Sequence, residues 1–194
     1  KIKQGAVGKL RFITCHLEQS WFAQASGPGR GWKTDPNKAG GGQLVDSGSH
    51  TIAAMLDVSG LTPTEVYASV QNWGLAVDVN TAMVVRFAEG AQAAVTIGGF
   101  GHRVTESIRL IGDSASMSIL YRTIKEQRLE VDGELASADL DITPSNPSAN
   151  FVDTVLGKNS PRADVGLGLK VAQVCQAAYL SAERNRPVTI SEVC

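Results

Sequence analysis

The sequence predicts an α+β domain, a mostly antiparallel sheet with helices packed on one face. Three observations predict it. Short runs of strand composition crowd the middle of the chain and are separated by the turn dipeptides Glu89-Gly90, Gly112-Asp113 and Asp132-Gly133. Segments of helical period lie on either side of that block, over residues 44–58 and 165–184. No strand feeds a Gly-x-Gly-x-x-Gly turn into a helix, so the opening of a dinucleotide-binding domain is missing.

The elements follow in order. Gly5 and Gly8 break the chain ahead of residues 9–18, where Phe12, Ile13, Thr14 and Leu17 give a long strand. Residues 26–31 hold three glycines and a proline and form a loop. A helix is expected over 44–58: Leu44, Gly48, Ile52, Met55 and Leu56 recur at its spacing, and Gly60 stops it. Residues 64–73 alternate Val66, Ala68 and Val70 against Tyr67, Ser69 and Gln71, a strand that would carry Tyr67 and Trp73 on one face. Strands over 79–87, 91–97, 107–111, 116–121 and 127–131 complete a series of hairpins. Asn146-Pro147 opens a short helix with Phe151, Val152, Val155 and Leu156, ended by Gly157. The long helix over 165–184 has a stripe of Leu167, Val171, Val174, Ala178 and Ala182, and residues 187–190 form a last edge strand.

Composition bounds the function. The chain has 194 residues, 43% hydrophobic and 19% charged, which suits one globular domain with a real core. A net charge of −1 gives neither nucleic acid nor an anionic membrane a reason to bind. No apolar run approaches the ~20 residues of a membrane helix, and no secretory leader is visible. Cytoplasmic residence is the expectation, with any targeting segment ahead of Lys1 outside the sequence read. Cys15, Cys175 and Cys194 are widely spaced and odd in number. They predict neither a disulfide framework nor a structural zinc site; Cys15 and Cys175 read as small core residues.

The chemistry concentrates in Gly40-Gly41-Gly42-Gln43-Leu44-Val45-Asp46-Ser47-Gly48-Ser49-His50. If the glycines open a helix, Asp46 and His50 stand one turn apart, with Cβ atoms roughly 5–6 Å from each other. They share a face with Asp57, opposite Leu44, Gly48, Ile52 and Met55, so the apolar seam does not need them. Two readings stay open on pattern alone: a solvated polar face, or a carboxylate and an imidazole arranged to move a proton on a hydroxylated substrate. A serine-hydrolase arrangement of Ser47 or Ser49 with His50 is disfavoured, because adjacent helical positions point apart. Among His16, His50, His102 and Asp46 only Asp46 and His50 stand at a usual short-range ligand spacing, and no metal is expected.

This motif, preceded by Trp32-Lys33-Thr34-Asp35, resembles the C-terminal domain of the glucose–fructose oxidoreductase / inositol dehydrogenase / MocA family. Weaker matches follow in order: residues 5–9 at the crossing into the first strand, 87–91 and 110–113 in the hairpins, and 146–151 and 161–187 in the closing helices. The resemblance implies a large open sheet of the glucose–fructose oxidoreductase type, spanning 1–194 as a substrate-binding and oligomerisation domain. It implies an NAD(P)-dependent dehydrogenase acting on sugar, polyol or cyclitol hydroxyls. His50 would be its general acid/base and Asp46 the group that orients it. Trp32 and Lys33 would be substrate contacts at the site mouth.

The family's N-terminal Rossmann domain and its Glu-Lys-Pro lysine are not in this sequence. NAD or NADP would be bound mainly by that missing domain, this chain supplying no cofactor-binding residue. The chain therefore reads as a C-terminal domain, inactive by itself, of a longer oxidoreductase that pairs through its free sheet face. The rival reading is a non-catalytic binding or assembly module of the same fold. A relative that cleaves glycosides through a transient oxidation would use the same Asp and His.

Overall fold

The structure, a computed structural model, describes residues 2, 5–123, 126–136 and 146–193; Cys194 lies outside the described residues. They form a nine-stranded sheet in the order β8-β7-β6-β5-β1-β4-β3-β2-β9. The strands are β1 (Leu10–Glu18), β2 (Pro63–Gln71), β3 (Asn80–Phe87), β4 (Gln92–Gly98), β5 (Thr105–Gly112), β6 (Ser116–Thr123), β7 (Glu126–Val131), β8 (Glu134–Leu135) and β9 (Val188–Thr189). The helices are α1 (Trp21–Ala25), α2 (Pro36–Ala39), α3 (Ser49–Ser59), α4 (Pro147–Val155) and α5 (Val165–Arg184).

Most of the sheet is two meanders, β2-β3-β4 and β5-β6-β7-β8, and Glu89-Gly90, Gly112-Asp113 and Asp132-Gly133 mark three of their connections. Between them lies β1, antiparallel to β5 and parallel to β4. Every other pairing is antiparallel. The central seat of β1 is the feature that hairpin reading missed. Its partners lie some 80 to 100 positions later, as in His16↔Thr96 and Leu10↔Gly112, and no turn announces them.

One face of the sheet is dry. Ile13, Cys15 and Leu17 of β1, Val85 of β3, Val95 and Ile97 of β4 and Leu110 of β5 meet Ile52, Met55 and Leu56 of α3 and Val174, Cys175, Ala177 and Ala178 of α5. Each fully buried aliphatic side chain contributes roughly 1.5–3 kcal/mol. Cys15 and Cys175 are core residues as expected, and burial pushes both thiols up to about 12. Among the described residues nothing covers the opposite face, on which Phe12, Tyr67 and Val84 are exposed.

One expectation is corrected. The second strand ends at Gln71, so Trp73 does not share a strand face with Tyr67; it takes a positive φ of 51° in the turn and packs edge-on against Phe100 at 5.5 Å. The long helix turns its expected stripe to the core, with Val174 and Ala178 buried and Leu167 and Val171 partly buried against it, while Val165 and Leu169, outside that stripe, are exposed.

Candidate active site

The segment read as one helix over 44–58 is two structures. Leu44–Gly48 is a single π-helical turn, and the α-helix proper begins at Ser49. Widened turns of this kind recur at functional sites, and this one carries Asp46. It lies between two anchored points. Gly48 at one end is pressed on Ile97, where a Cβ would come within 3.1 Å of the side chain.

At the other end the anchor is Asp78, which is 3% exposed. Its carboxylate accepts from Gly42 N–H and Leu44 N–H, each at 2.7 Å, and from the Tyr179 hydroxyl at 2.6 Å. A remote side chain thus satisfies the orphan amides that open a helix. Burial, then the Asp78 charge, push the Tyr179 hydroxyl well above the usual tyrosine range. Gly42 is needed here because a Cβ would run into the Asp78 backbone. The glycine run is therefore a packing device. Its Gly42 amide is already used and faces a carboxylate, which does not fit a site for dinucleotide phosphates.

Below the turn, Gln19 Nε2 donates to Ser47 Oγ at 2.5 Å and to Gln43 Oε1 at 3.3 Å, and the buried Gln43 reaches Gly98 O at 3.5 Å. These bonds tie the turn to the ends of β1 and β4, so Asp46 stands on a fixed base.

Asp46 Oδ2 accepts from Lys33 Nζ and from Trp21 Nε1, each at 2.6 Å. The Lys33 and Asp46 side chains are 23% and 32% exposed. Burial by itself would raise the Asp46 carboxyl. The hydrogen bonds from Lys33 and Trp21, with the Lys33 charge and the nearby His50, outweigh it and hold the group below the ordinary carboxylate value. The sign follows. A carboxyl lowered in the folded state stabilises the fold above the unfolded value of about 3.9, and that contribution is lost as pH falls through the folded value. Lys33→Met is expected to move the Asp46 titration upward, read by carboxyl-carbon NMR. An unmoved titration would show that Lys33 does not set this charge.

His50 is exposed, and its ring makes no hydrogen bond among the described residues; it stands near enough to Asp46 that a charge on it would favour the ionised carboxylate. Trp32 is 51% exposed, its ring centroid 5.6 Å from Lys33 Nζ. The structure therefore brings Asp46, Lys33, Trp32 and His50 together. It adds Trp21, Asp78 and Tyr179, which the sequence reading missed. Two residues separate the first strand from the short helix that Trp21 opens, and that nearness is Trp21's only local signal. Asp78 and Tyr179 have none, being 36 and 101 residues from their partners.

The arrangement can hold an ionised carboxylate beside an accessible imidazole and an aromatic face. That suits binding of a hydroxylated molecule and movement of its proton.

A family model described as the GFO/IDH/MocA C-terminal domain matches residues 1–138. No curated protein matches the chain in sequence. Solved structures match nearly its whole length. An aldose–aldose oxidoreductase from Caulobacter crescentus, complexed with glycerol, superposes with a TM-score of 0.80 at 23% identity, over 97% of this chain and 58% of its own. An oxidoreductase domain protein from Kribbella flavida gives 0.77 at 18% identity, over 97% and 61%. The WlbA dehydrogenase from Bordetella pertussis, in complex with NADH and UDP-GlcNAcA, gives 0.77 at 18% identity, over 97% and 57%. At these identities the likeness is one of fold, and the chain spans about three-fifths of each of these proteins.

Proposed function

The chain belongs to the GFO/IDH/MocA family through its C-terminal domain, and from that premise we propose that it is the substrate-binding and proton-transferring half of an NAD(P)-dependent oxidoreductase acting on sugar, polyol or cyclitol hydroxyls. The observation that carries the proposal is the Lys33–Asp46 pair at 2.6 Å beside the open His50. Glycerol on one structural neighbour, and NADH with a nucleotide sugar on another, support the substrate and cofactor class.

In this reading the substrate hydroxyl bonds to the neutral imidazole of His50, which takes its proton as the alcohol is oxidised. Asp46, kept ionised by Lys33 and Trp21, stabilises the imidazolium that results. Trp32 offers an apolar face to the C–H side of the substrate. A bound nicotinamide would supply the hydride acceptor. The glycine run here does not fit its dinucleotide, so the proposal assigns that task to an N-terminal Rossmann domain on the same polypeptide.

Partner and place follow the same proposal. The uncovered sheet face, with Phe12, Tyr67 and Val84 exposed, pairs with a second copy. Among the described residues no helix is long and apolar enough to cross a membrane. The free thiols of Cys15 and Cys175 accord with a cytoplasmic protein.

The test is a panel of polyols and aldoses with NAD and NADP, using the protein together with its cofactor domain. Reduction of the nicotinamide with at least one of these substrates is expected, and a protein that binds the cofactor but oxidises none of them would overturn the proposal. The 194-residue chain alone is expected to fold and to bind no NAD(P). Calorimetric detection of cofactor binding to it would contradict the division of labour.

The assembly-module reading keeps one specific observation, that same open sheet face. The two readings part at Asp46: a module has no use for a carboxylate held by Lys33 and Trp21.

A further inference from the structure

Asp46 Oδ2 accepts from both Lys33 Nζ and Trp21 Nε1, while Oδ1 has no hydrogen bond among the described residues. The two donors are unlike. Lys33 is a point charge on a flexible stem, and its protons can follow either oxygen. The Trp21 indole is rigid and neutral, with a single N–H that can only donate. The terminal torsion of an aspartate is broad. An ammonium by itself therefore leaves the carboxylate free to swing, and a fixed indole N–H stops it.

The indole is held where that bond needs it. Trp21 is 2% exposed and belongs to a small core of its own, with Ala25, Val77 and Val79. Val77 and Val79 flank Asp78, whose carboxylate takes the Gly42 and Leu44 amides and whose carbonyl takes the Gln43 amide at 3.0 Å. Residues 77–79 thus carry the donor, through the Trp21 core, and the turn that bears the acceptor, through Asp78. A common base fixes the distance between the two.

We propose that Trp21 is a positioning residue: it sets the plane of the Asp46 carboxylate, so that Oδ2 is spent within the protein and Oδ1 is left for the His50 imidazolium. This role rests on the oxidoreductase reading above and adds a division of labour to it. Lys33 supplies charge, and Trp21 supplies direction. A carboxylate that rotates in a partly exposed site spends part of its time turned away from the imidazole, and the rate falls with it.

The test compares the parent with Trp21→Phe and Val77→Ala. Phenylalanine keeps a ring in the small core but has no N–H to give. Val77→Ala loosens the same core and keeps the donor, so both variants are expected to melt below the parent. Carboxyl-carbon NMR is expected to show the Asp46 titration moved upward in Trp21→Phe and unmoved in Val77→Ala. In the parent, the Trp21 indole proton is expected to shift at the same midpoint as the Asp46 carboxyl carbon, while that of Trp73, packed on Phe100, stays still. With the cofactor domain present, Trp21→Phe is expected to lower kcat for polyol oxidation by about tenfold or more. Val77→Ala is expected to keep kcat within about twofold.

An Asp46 titration unmoved in Trp21→Phe overturns this role. So does one that moves equally in Val77→Ala, since loosened packing would then explain it. Where Trp21→Phe does not fold, the parent decides: an indole proton that ignores the Asp46 titration overturns the role. A parent that oxidises no polyol or aldose overturns the oxidoreductase reading, and with it the catalytic use of Trp21. A parent that turns over, with Trp21→Phe within about twofold of its kcat, overturns the role of Trp21 alone.

Discussion

Asp78→Ala is expected to lower the unfolding free energy of this domain by about 3–5 kcal/mol, one of the largest effects available to a single substitution outside the apolar core. The carboxylate is 3% exposed and receives three donors, the amides of Gly42 and Leu44 and the hydroxyl of Tyr179. Alanine leaves all three without an acceptor, and an unmet donor in a dry site costs roughly 1–3 kcal/mol. Asp78→Asn separates charge from geometry. Its one remaining oxygen can serve Gly42 and Tyr179, which share Oδ1, but its NH2 then faces the Leu44 amide, donor against donor. The asparagine variant is expected to fall between alanine and the parent. Urea unfolding followed by circular dichroism checks this, with the midpoint moving and the slope unchanged. A loss under about 1 kcal/mol for alanine would show that Asp78 is not what fastens the start of the π-helical turn.

His50→Ala is expected to lower kcat/KM for alcohol oxidation by about 10²- to 10⁴-fold, the contribution of a positioned general base. His50 is exposed and buries nothing, so the variant is expected to melt with the parent. That separates loss of chemistry from loss of fold. Added imidazole is expected to restore part of the rate of His50→Ala, since the space vacated is open to solvent. A variant that keeps more than a third of the parent kcat/KM would remove His50 from the proton path.

Local signals in the sequence identify local structure well. The alternation in β2 to β4, the Asp132-Gly133 hairpin between β7 and β8, and the edge strand β9 all sit where short-range patterning places them. Their physical causes act over two to five residues. The place of β1 depends on partners far along the chain, and the apolar alternation of Ile13, Cys15 and Leu17 says which face is buried but not which strands flank it. The site divides the same way. The four-residue interval between Asp46 and His50 is visible in the letters. The π-helical turn beneath them is not, because it depends on Asp78 and Ile97, which arrive from other elements.

The seat of β1 also orders events during synthesis. Leu10 pairs opposite Gly112, and at 5–20 residues per second that partner leaves the ribosome roughly 5–20 s after Leu10 does. The β2-β3-β4 meander can close meanwhile from its own turns, and so can β5-β6 once made. Of the strands in this sheet β1 is made first, and it gains its second neighbour only when β5 follows. Until that happens its main-chain donors and acceptors are open to any passing edge, which makes residues 10–18 the stretch of a nascent chain with most need of a chaperone.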